Sequence, residues 1–230
     1  MTRKILGPPR PRESVRQRNL ALFDGPFGRL YALYMEHEAA SRVIGRAVWG
    51  ADVRPYYESM GRIAAVPAGG LVVDAPCGAG VAFRGLAPEH EVRYLAVDLS
   101  QSMVARARAT AARRRLDRIE FVQADATAIP LESGVADLFL SHFGLHCFPD
   151  PQAAVGEAAR CLRPGGRLEG SMIARGQRMR QRILVRPGGG GLGPGGTVSD
   201  LSRWLDRAGL TEERMEESGC FAYFSATLAT

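Results

Sequence analysis

The chain of 230 residues is long enough for one domain with a full hydrophobic core, and its 46% apolar content is that of a globular protein. No run approaches the ~18 apolar residues of a membrane span, and the basic start MTRKILGPPRPR lacks the apolar stretch of a secretory signal, so no membrane partner and a cytoplasmic location are expected. The net charge of +6 gathers in residues 1–18, where Arg3, Lys4, Arg10, Arg12, Arg16 and Arg18 face Glu13 alone, so the nearly neutral remainder disfavours nucleic acid as a partner.

In chain order, residues 1–18 read as a proline-bearing basic arm, expected to be disordered, with an anionic partner as the alternative use of its charge. Residues 19–66 read as an N-terminal helical lid, because LALFDGPFGRLYALYMEHEAASRVIGRAV spaces apolar residues three and four apart and is rich in aromatics. From residue 67 to 230 an α/β domain is expected. The runs LVVDA, VRYLAVD, IEFVQA, VADLFLS and RLEGSMI alternate with helix-like VAFRGLA, SQSMVARARATAARRR and PQAAVGEAARCL. Strands alternating with helices predict a parallel sheet covered on both faces.

Ser100 is placed to cap a helix starting at Gln101, and Pro164-Gly165-Gly166 to stop one ending near Leu162. Beyond residue 175, Arg178, Arg180, Arg182 and Arg186 alternate with Met179, Ile183 and Leu184 as on an amphipathic helix. Its basic side is ordinary surface or a site for an acidic substrate; its apolar side would close a pocket or pair subunits. The run GGGGLGPGG (188–196) follows as a loop. Thr197 and Asp200 then have capping-box spacing, Gly209 is a helix stop, and CFAYFSATL alternates like a half-buried strand. Cys77, Cys147, Cys161 and Cys220 form no CxxC pair, which fits reduced thiols and predicts no metal site.

LVVDAPCGAG (71–80) admits two readings. Asp-Ala-Pro-Cys resembles the tetrapeptide around the nucleophilic cysteine of RNA 5-methylcytosine methyltransferases. Alternatively, a strand ending at Asp74 feeds a turn in which Gly78 lets the backbone approach a ligand, and a helix from about Val81 aims free N–H groups at it. The nucleophile reading fails by position, because no glycine-rich turn follows a strand upstream of residue 70. Asp98, at the end of the second strand, can accept hydrogen bonds from ribose hydroxyls. A nicotinamide site would want a third glycine where Val81-Ala82-Phe83 are bulky.

Taken together, Asp74-Ala-Pro-Cys-Gly-Ala-Gly80, Asp98-Leu-Ser-Gln-Ser-Met103, Gln123-Ala-Asp-Ala126 and LSHFGLHCFPDPQAAVGEAARCLRPGGRL resemble class I S-adenosylmethionine-dependent methyltransferases over residues 70–175. The likeness is to the small-molecule branch that modifies menaquinone and natural products. Pro76 departs from the family's first turn glycine and removes one N–H. The resemblance implies a Rossmann-like, doubly wound sheet of seven strands, six parallel and one reversed near the carboxyl terminus. It implies S-adenosyl-L-methionine as cofactor, held by Asp74, Ala75, Pro76, Cys77, Gly78 and Gly80 in the turn. Asp98, Leu99 and Met103 would take the ribose and flank the adenine, Asp125 and Ala126 would hold its amino edge, and Ser141 and His142 would close the site.

The implied activity is methyl transfer to an oxygen, nitrogen or carbon of a small-molecule substrate by in-line displacement. Alternatives are a protein that binds the cofactor without transfer, such as a cyclase or binding protein, and an RNA methyltransferase using the basic arm. His142 and His146 are the candidate general bases, needed only if the acceptor must lose a proton. Tyr31 and Tyr34 are the lid residues placed to touch cofactor or substrate. Monomer and homodimer are both compatible with the sequence.

Overall fold

The alternating runs become seven strands of one sheet, β1 (Leu71–Asp74), β2 (Arg93–Asp98), β3 (Ile119–Gln123), β4 (Ala136–His142), β5 (Leu162–Ile173), β6 (Leu210–Ser218) and β7 (Phe221–Leu228). Their order is β3-β2-β1-β4-β5-β7-β6. The computed structural model describes residues 11–87, 89–176 and 195–230. Residues 1–10, the arginine-rich segment with Arg178, Arg180, Arg182 and Arg186, and most of the glycine run lie outside the described residues. Strands β1 to β5 pair in parallel, and β7 runs antiparallel to both β5 and β6. Six strands therefore share one direction and one is reversed.

The helices are α1 (Pro11–Asp24), α2 (Pro26–Glu36), α3 (Glu38–Ile44), α4 (Arg54–Ser59), α5 (Gln101–Arg114), α6 (Pro151–Cys161) and α7 (Val198–Arg207). Two-residue alternation on the strands sorts side chains to opposite faces. Leu71, Val73, Leu95, Val97, Phe139, Leu168 and Met172 face α6 and α7, where Val155, Ala158, Leu201 and Leu205 meet them. Val72, Tyr94, Ala96, Leu138 and Leu140 face the other way, against Tyr56 and Tyr57 of α4 and Ala107 and Ala111 of α5. Full burial of such side chains stabilises the fold by roughly 1.5–3 kcal/mol each.

Three expectations change. Residues 11–18, expected in a disordered arm, form the first half of α1, whose far end is tied to the sheet by the Ser100 hydroxyl donating to Asp24 Oδ1 at 2.5 Å. The helix expected from Val81 is a single 3-10 segment, Val81–Gly85. The chain turns extended at Leu86, and Gly85 before it packs so close to Met60 that a Cβ would sit 2.1 Å from its carbonyl oxygen. Finally, LTEERMEES forms edge strand β6, the one of the seven expected strands that no sequence run had located.

The break between α1 and α2 is written in Gly25-Pro26. Proline at the start of α2 forfeits no helical hydrogen bond. Gly28 then lets α2 press on α1, since a Cβ there would lie 1.9 Å from the Phe23 carbonyl oxygen. Ser100 caps α5 by accepting from the Met103 N–H, and Thr197 with Asp200 closes a reciprocal capping box on α7. Among the described residues no helix is long and apolar enough to cross a membrane.

Candidate functional site

Chain order reverses between β1 and β4, and at that point the carboxyl ends of the parallel strands open a crevice. A cavity there is floored by Asp74, Pro76, Cys77 and Gly78, walled by Asp98, Leu99, Met103, Asp125 and Ala126 on one side and by His142, Phe143 and Cys147 on the other, and roofed by α1 and α2.

The turn after β1 is pinned from both neighbouring strands. Ala75 N–H donates to the Leu140 carbonyl oxygen at 2.9 Å, and Cys77 N–H to that of Val97 at 2.8 Å. The Ala75–Pro76 peptide is cis. Gly78 has φ +52, and a Cβ there would meet no protein atom within 4 Å. Its missing side chain therefore leaves backbone open to the cavity, at a conformation other residues rarely adopt. Gly80 serves a different purpose: at φ +79, a Cβ would lie 2.3 Å from the Phe83 ring, so this glycine admits that ring.

Asp98 accepts from Gly78 N–H at 2.9 Å through one oxygen and from Ser100 N–H at 2.9 Å through the other. Each oxygen keeps a second lone pair. Burial pushes its carboxyl up to about 6, opposed by those two N–H groups and that of Leu99 and reinforced by Asp24. Asp74 accepts from the Tyr94 hydroxyl at 2.8 Å. Burial pushes it up to about 8, with the Tyr94 hydrogen bond opposing and Asp98 adding. Two desolvated carboxyls thus flank one glycine bend, an arrangement that favours a ligand bringing positive charge and hydroxyl donors. Asp125 is half-buried; its Oδ1 takes the Thr127 N–H and hydroxyl, and Arg16 Nε stands 3.9 Å from Oδ2.

The two histidines separate. The Ser59 hydroxyl donates to the Tyr56 carbonyl oxygen at 2.6 Å, so toward His142 Nε2, 3.2 Å away, it can only accept. His142 Nδ1 is then the acceptor for the Ser171 hydroxyl at 3.2 Å. Burial lowers this imidazole to about 4. Desolvated and facing the Ser171 hydroxyl, it is a weaker base in the ligand-free protein than an ordinary imidazole. His146 lies outside the cavity. Its Nδ1 accepts from Ile173 N–H at 3.2 Å, and burial holds it at about 3. It is a core residue joining the loop after β4 to β5.

Tyr31 reaches the cavity, stacked on Phe27 with Phe23 edge-on. Tyr34 does not: its carbonyl accepts from the Ser41 hydroxyl at 2.8 Å and its own hydroxyl points to the Ser41 carbonyl. Ala75 and Ser141 are also outside the lining, buried at 1% and 5% exposure; Ala75 packs into the core shared with α6 and α7. Cys77 is deeply buried and desolvation raises its thiol well above the usual range, so it is no ready nucleophile.

Sequence reasoning missed Arg16, Asn19, Leu20 and Phe23 of α1, together with Tyr56, Phe148 and Pro149. A signal for the first four existed: positions 16, 19, 20 and 23 have the spacing of one helical face. Phe143, directly after His142, is held at φ +50 by its N–H bond to the Ser171 carbonyl oxygen at 2.8 Å. Such backbone costs about 1–3 kcal/mol and gathers at working sites. Among the described residues no group of three or more His, Cys, Asp or Glu could hold a metal ion.

Residues 73–169 match the family model described as a methyltransferase domain. The chain is 36% identical over 110 residues to a demethylmenaquinone methyltransferase of Clavibacter sepedonicus, covering 46% of this chain and 42% of that protein. It is 34% identical over 102 residues to a 27-O-demethylrifamycin SV methyltransferase of Amycolatopsis mediterranei, covering 44% and 41%. The chain thus matches less than half the length of these curated relatives. Its fold is similar to that of a solved SAM-dependent methyltransferase from Aquifex aeolicus, with a TM-score of 0.60 and 20% identity over 80% of this chain and 93% of that one.

Proposed function

We propose, starting from residues 73–169 as a class I methyltransferase domain, that this chain moves a methyl group from S-adenosylmethionine to a small-molecule acceptor. The observation that carries this reading is the pair of buried carboxyls, Asp74 and Asp98, on either side of the bare backbone at Gly78. The residues present fit the cofactor. Asp98 would accept from the ribose hydroxyls, Leu99, Met103 and Ala126 would offer apolar surface to an adenine, and Asp125 and the Ala126 backbone would hold its amino edge. Gly78 and Asp74 would hold the amino-acid end. When bound, the sulfonium supplies an activated methyl group.

The protein's own contribution is alignment and dryness. Tyr31, Phe23 and Leu20 roof the cleft, and the fixed imidazole of His142 supports Tyr56, whose ring meets it edge-on at 5.1 Å. Holding two reactants in line in a water-poor cleft can supply about 7–11 kcal/mol of the barrier. With burial holding the imidazole of His142 well below its ordinary basicity, the reading favours acceptors that need no strong base. The relatives' printed activities support a small organic acceptor over RNA. Four free thiols suit a reducing, cytoplasmic setting, and the sources of the two relatives named above suit a bacterial one, as part of the same reading. The remaining lining residues named at the outset, Pro76, Cys77 and His142, are proposed as cofactor contacts.

Calorimetry with S-adenosylhomocysteine tests the cofactor half. Wild type is expected to bind it, and Asp98→Asn to weaken it at least tenfold, because charge-assisted hydrogen bonds of roughly 1.5–3 kcal/mol each are lost. Equal affinity in both proteins would refute the assignment. Incubation of labelled S-adenosylmethionine with small-molecule extract tests the transfer half. Label retained wholly in the cofactor would leave a binding protein or cyclase.

A further inference from the structure

The outer side of the N-terminal helices carries apolar side chains that the fold leaves uncovered. Among the described residues, the large apolar side chains that stand exposed are Phe27, Leu30, Leu33, Val43, Ile44 and Val48, all within this one stretch. Such residues scattered singly are ordinary, whereas a cluster confined to one region marks a contact surface. Helical geometry accounts for it. On α2, Gly28 and Met35 are buried and Tyr31 and Ala32 line the cavity, which turns Leu30 and Leu33 to the opposite side. On α3, Ser41 is buried and Val43 points away; Leu30 and Val43 are 67% and 68% exposed.

Charge decides what fits there. The carboxylates of these helices are paired, Glu36 with Arg113 at 2.9 Å and Glu38 with Arg84 at 3.1 Å, and Asp52 just beyond them meets Arg54 at 2.6 Å. Arg29 and Arg42 are exposed, with no carboxylate partner among the described residues. Arg46 stands 3.8 Å from Asp52, and exposed Arg114 lies beside Glu36 in a shallow surface cleft. Positive charge is therefore in excess around the apolar side chains. A second copy of the chain, joined through a two-fold axis, would bring the same arginines against themselves. Anionic headgroups of a bilayer neutralise them instead, and the acyl boundary takes up the apolar side chains.

We infer that the outer faces of α2 and α3 are a docking surface for an anionic lipid bilayer, with Leu30, Leu33 and Val43 entering the acyl boundary and Arg29, Arg42 and Arg46 meeting phosphate groups. Lying on a bilayer needs no spanning helix, so this revises the expectation of no membrane partner although no helix among the described residues is long and apolar enough to cross one. Tyr31 and Ala32 line the cavity from the inner side of α2, so the docked face is the outer side of the roof over the cleft. Docking is a property of this surface and does not depend on methyl transfer.

Sedimentation of the full chain with lipid vesicles is the test. At low salt, wild type is expected to bind vesicles of equal phosphatidylglycerol and phosphatidylcholine about tenfold more tightly than phosphatidylcholine alone. Leu30→Gln with Val43→Gln leaves net charge unchanged and is expected to weaken binding to the mixed vesicles at least about tenfold, because two apolar side chains no longer enter the bilayer. Its melting temperature and S-adenosylhomocysteine affinity are expected to match wild type, since both positions are exposed. Arg29→Gln with Arg42→Gln is expected to weaken binding about fivefold, whereas Arg203→Gln with Arg207→Gln, the same charge lost from α7 on the far face of the sheet, changes it by less than about twofold. That comparison decides the surface should the glutamine variant of Leu30 and Val43 misfold. No sedimentation of wild type, equal affinity for the two kinds of vesicle, or full affinity after Leu30→Gln with Val43→Gln overturns the docking surface. Equal weakening by the two arginine pairs also overturns it, reducing binding to net charge. So does a dimer without vesicle binding that Leu30→Gln with Val43→Gln breaks, which assigns the face to a second copy. S-adenosylhomocysteine binding by the same samples reports separately on the cofactor reading.

Discussion

At Asp74, the folded chain holds a proton over a range where the unfolded chain, with an ordinary carboxyl near 3.9, has released it. Unfolding therefore releases a proton, and stability falls as pH climbs toward the folded value of about 8. Asp98, at about 6, acts in the same sense lower down. His142 and His146 act oppositely: their folded values of about 4 and about 3 lie below 6.5, so their contribution grows with pH and levels off past 6.5. Above pH 6.5, Asp74 is left as the main one of these four. The ligand-free protein is expected to lose up to about 1.4 kcal/mol per pH unit between 6.5 and 8, roughly 2–4 °C in melting temperature per unit. Asp74→Asn should flatten that slope; a wild-type melting temperature that is level or rises over the range would contradict the protonated carboxyl. The same carboxyl was readable as a site residue because it ends a strand directly before a glycine turn. Asn19 and Tyr56 were not, since their approach to the cleft depends on how the roof helices seat. Nor could the sequence separate His142 from His146, four positions apart, because the left-handed bend at Phe143 sends the second ring into the core.

Helix α7 shows how far local chemistry reaches. Thr197 Oγ1 accepts from Asp200 N–H at 3.1 Å while Asp200 Oδ2 takes the Thr197 N–H at 2.8 Å, the pattern its spacing predicts. Thr197→Ala is expected to cost about 1 kcal/mol, read as a 2–4 °C drop in melting temperature, with S-adenosylhomocysteine affinity unchanged. An unaltered melting temperature would mean that α7 is held by Leu201 and Leu205 alone. Elsewhere local signals misled. VAFRGLA has helical apolar spacing, yet the chain turns extended at Leu86 after one tight turn, with Gly85 packed against Met60. LTEERMEES lacks a strand's apolar alternation because an edge strand carries charge where it meets water. Its strand character comes wholly from pairing with β7, a long-range fact that no short window contains.

At the scale of the molecule, β6 pairs on one side only among the described residues, with β7, and stands at the end of the sheet. Glu212 and Glu217 stand exposed along it. Negative charge on a free edge keeps like molecules from adding to the sheet. Replacing both by valine is expected to raise the insoluble fraction on expression while the soluble remainder melts within a few degrees of wild type, a shift of about 1 kcal/mol or less. Unchanged solubility would assign the protection elsewhere. The reversed strand has a consequence in time as well. β7 follows β6 in the chain yet lies between it and β5. On the ribosome, Leu210–Ser218 emerges before Phe221–Leu228, the strand it pairs with, so this edge of the sheet is the last to be completed. The acidic side chains that guard the finished edge also keep the waiting nascent segment dissolved.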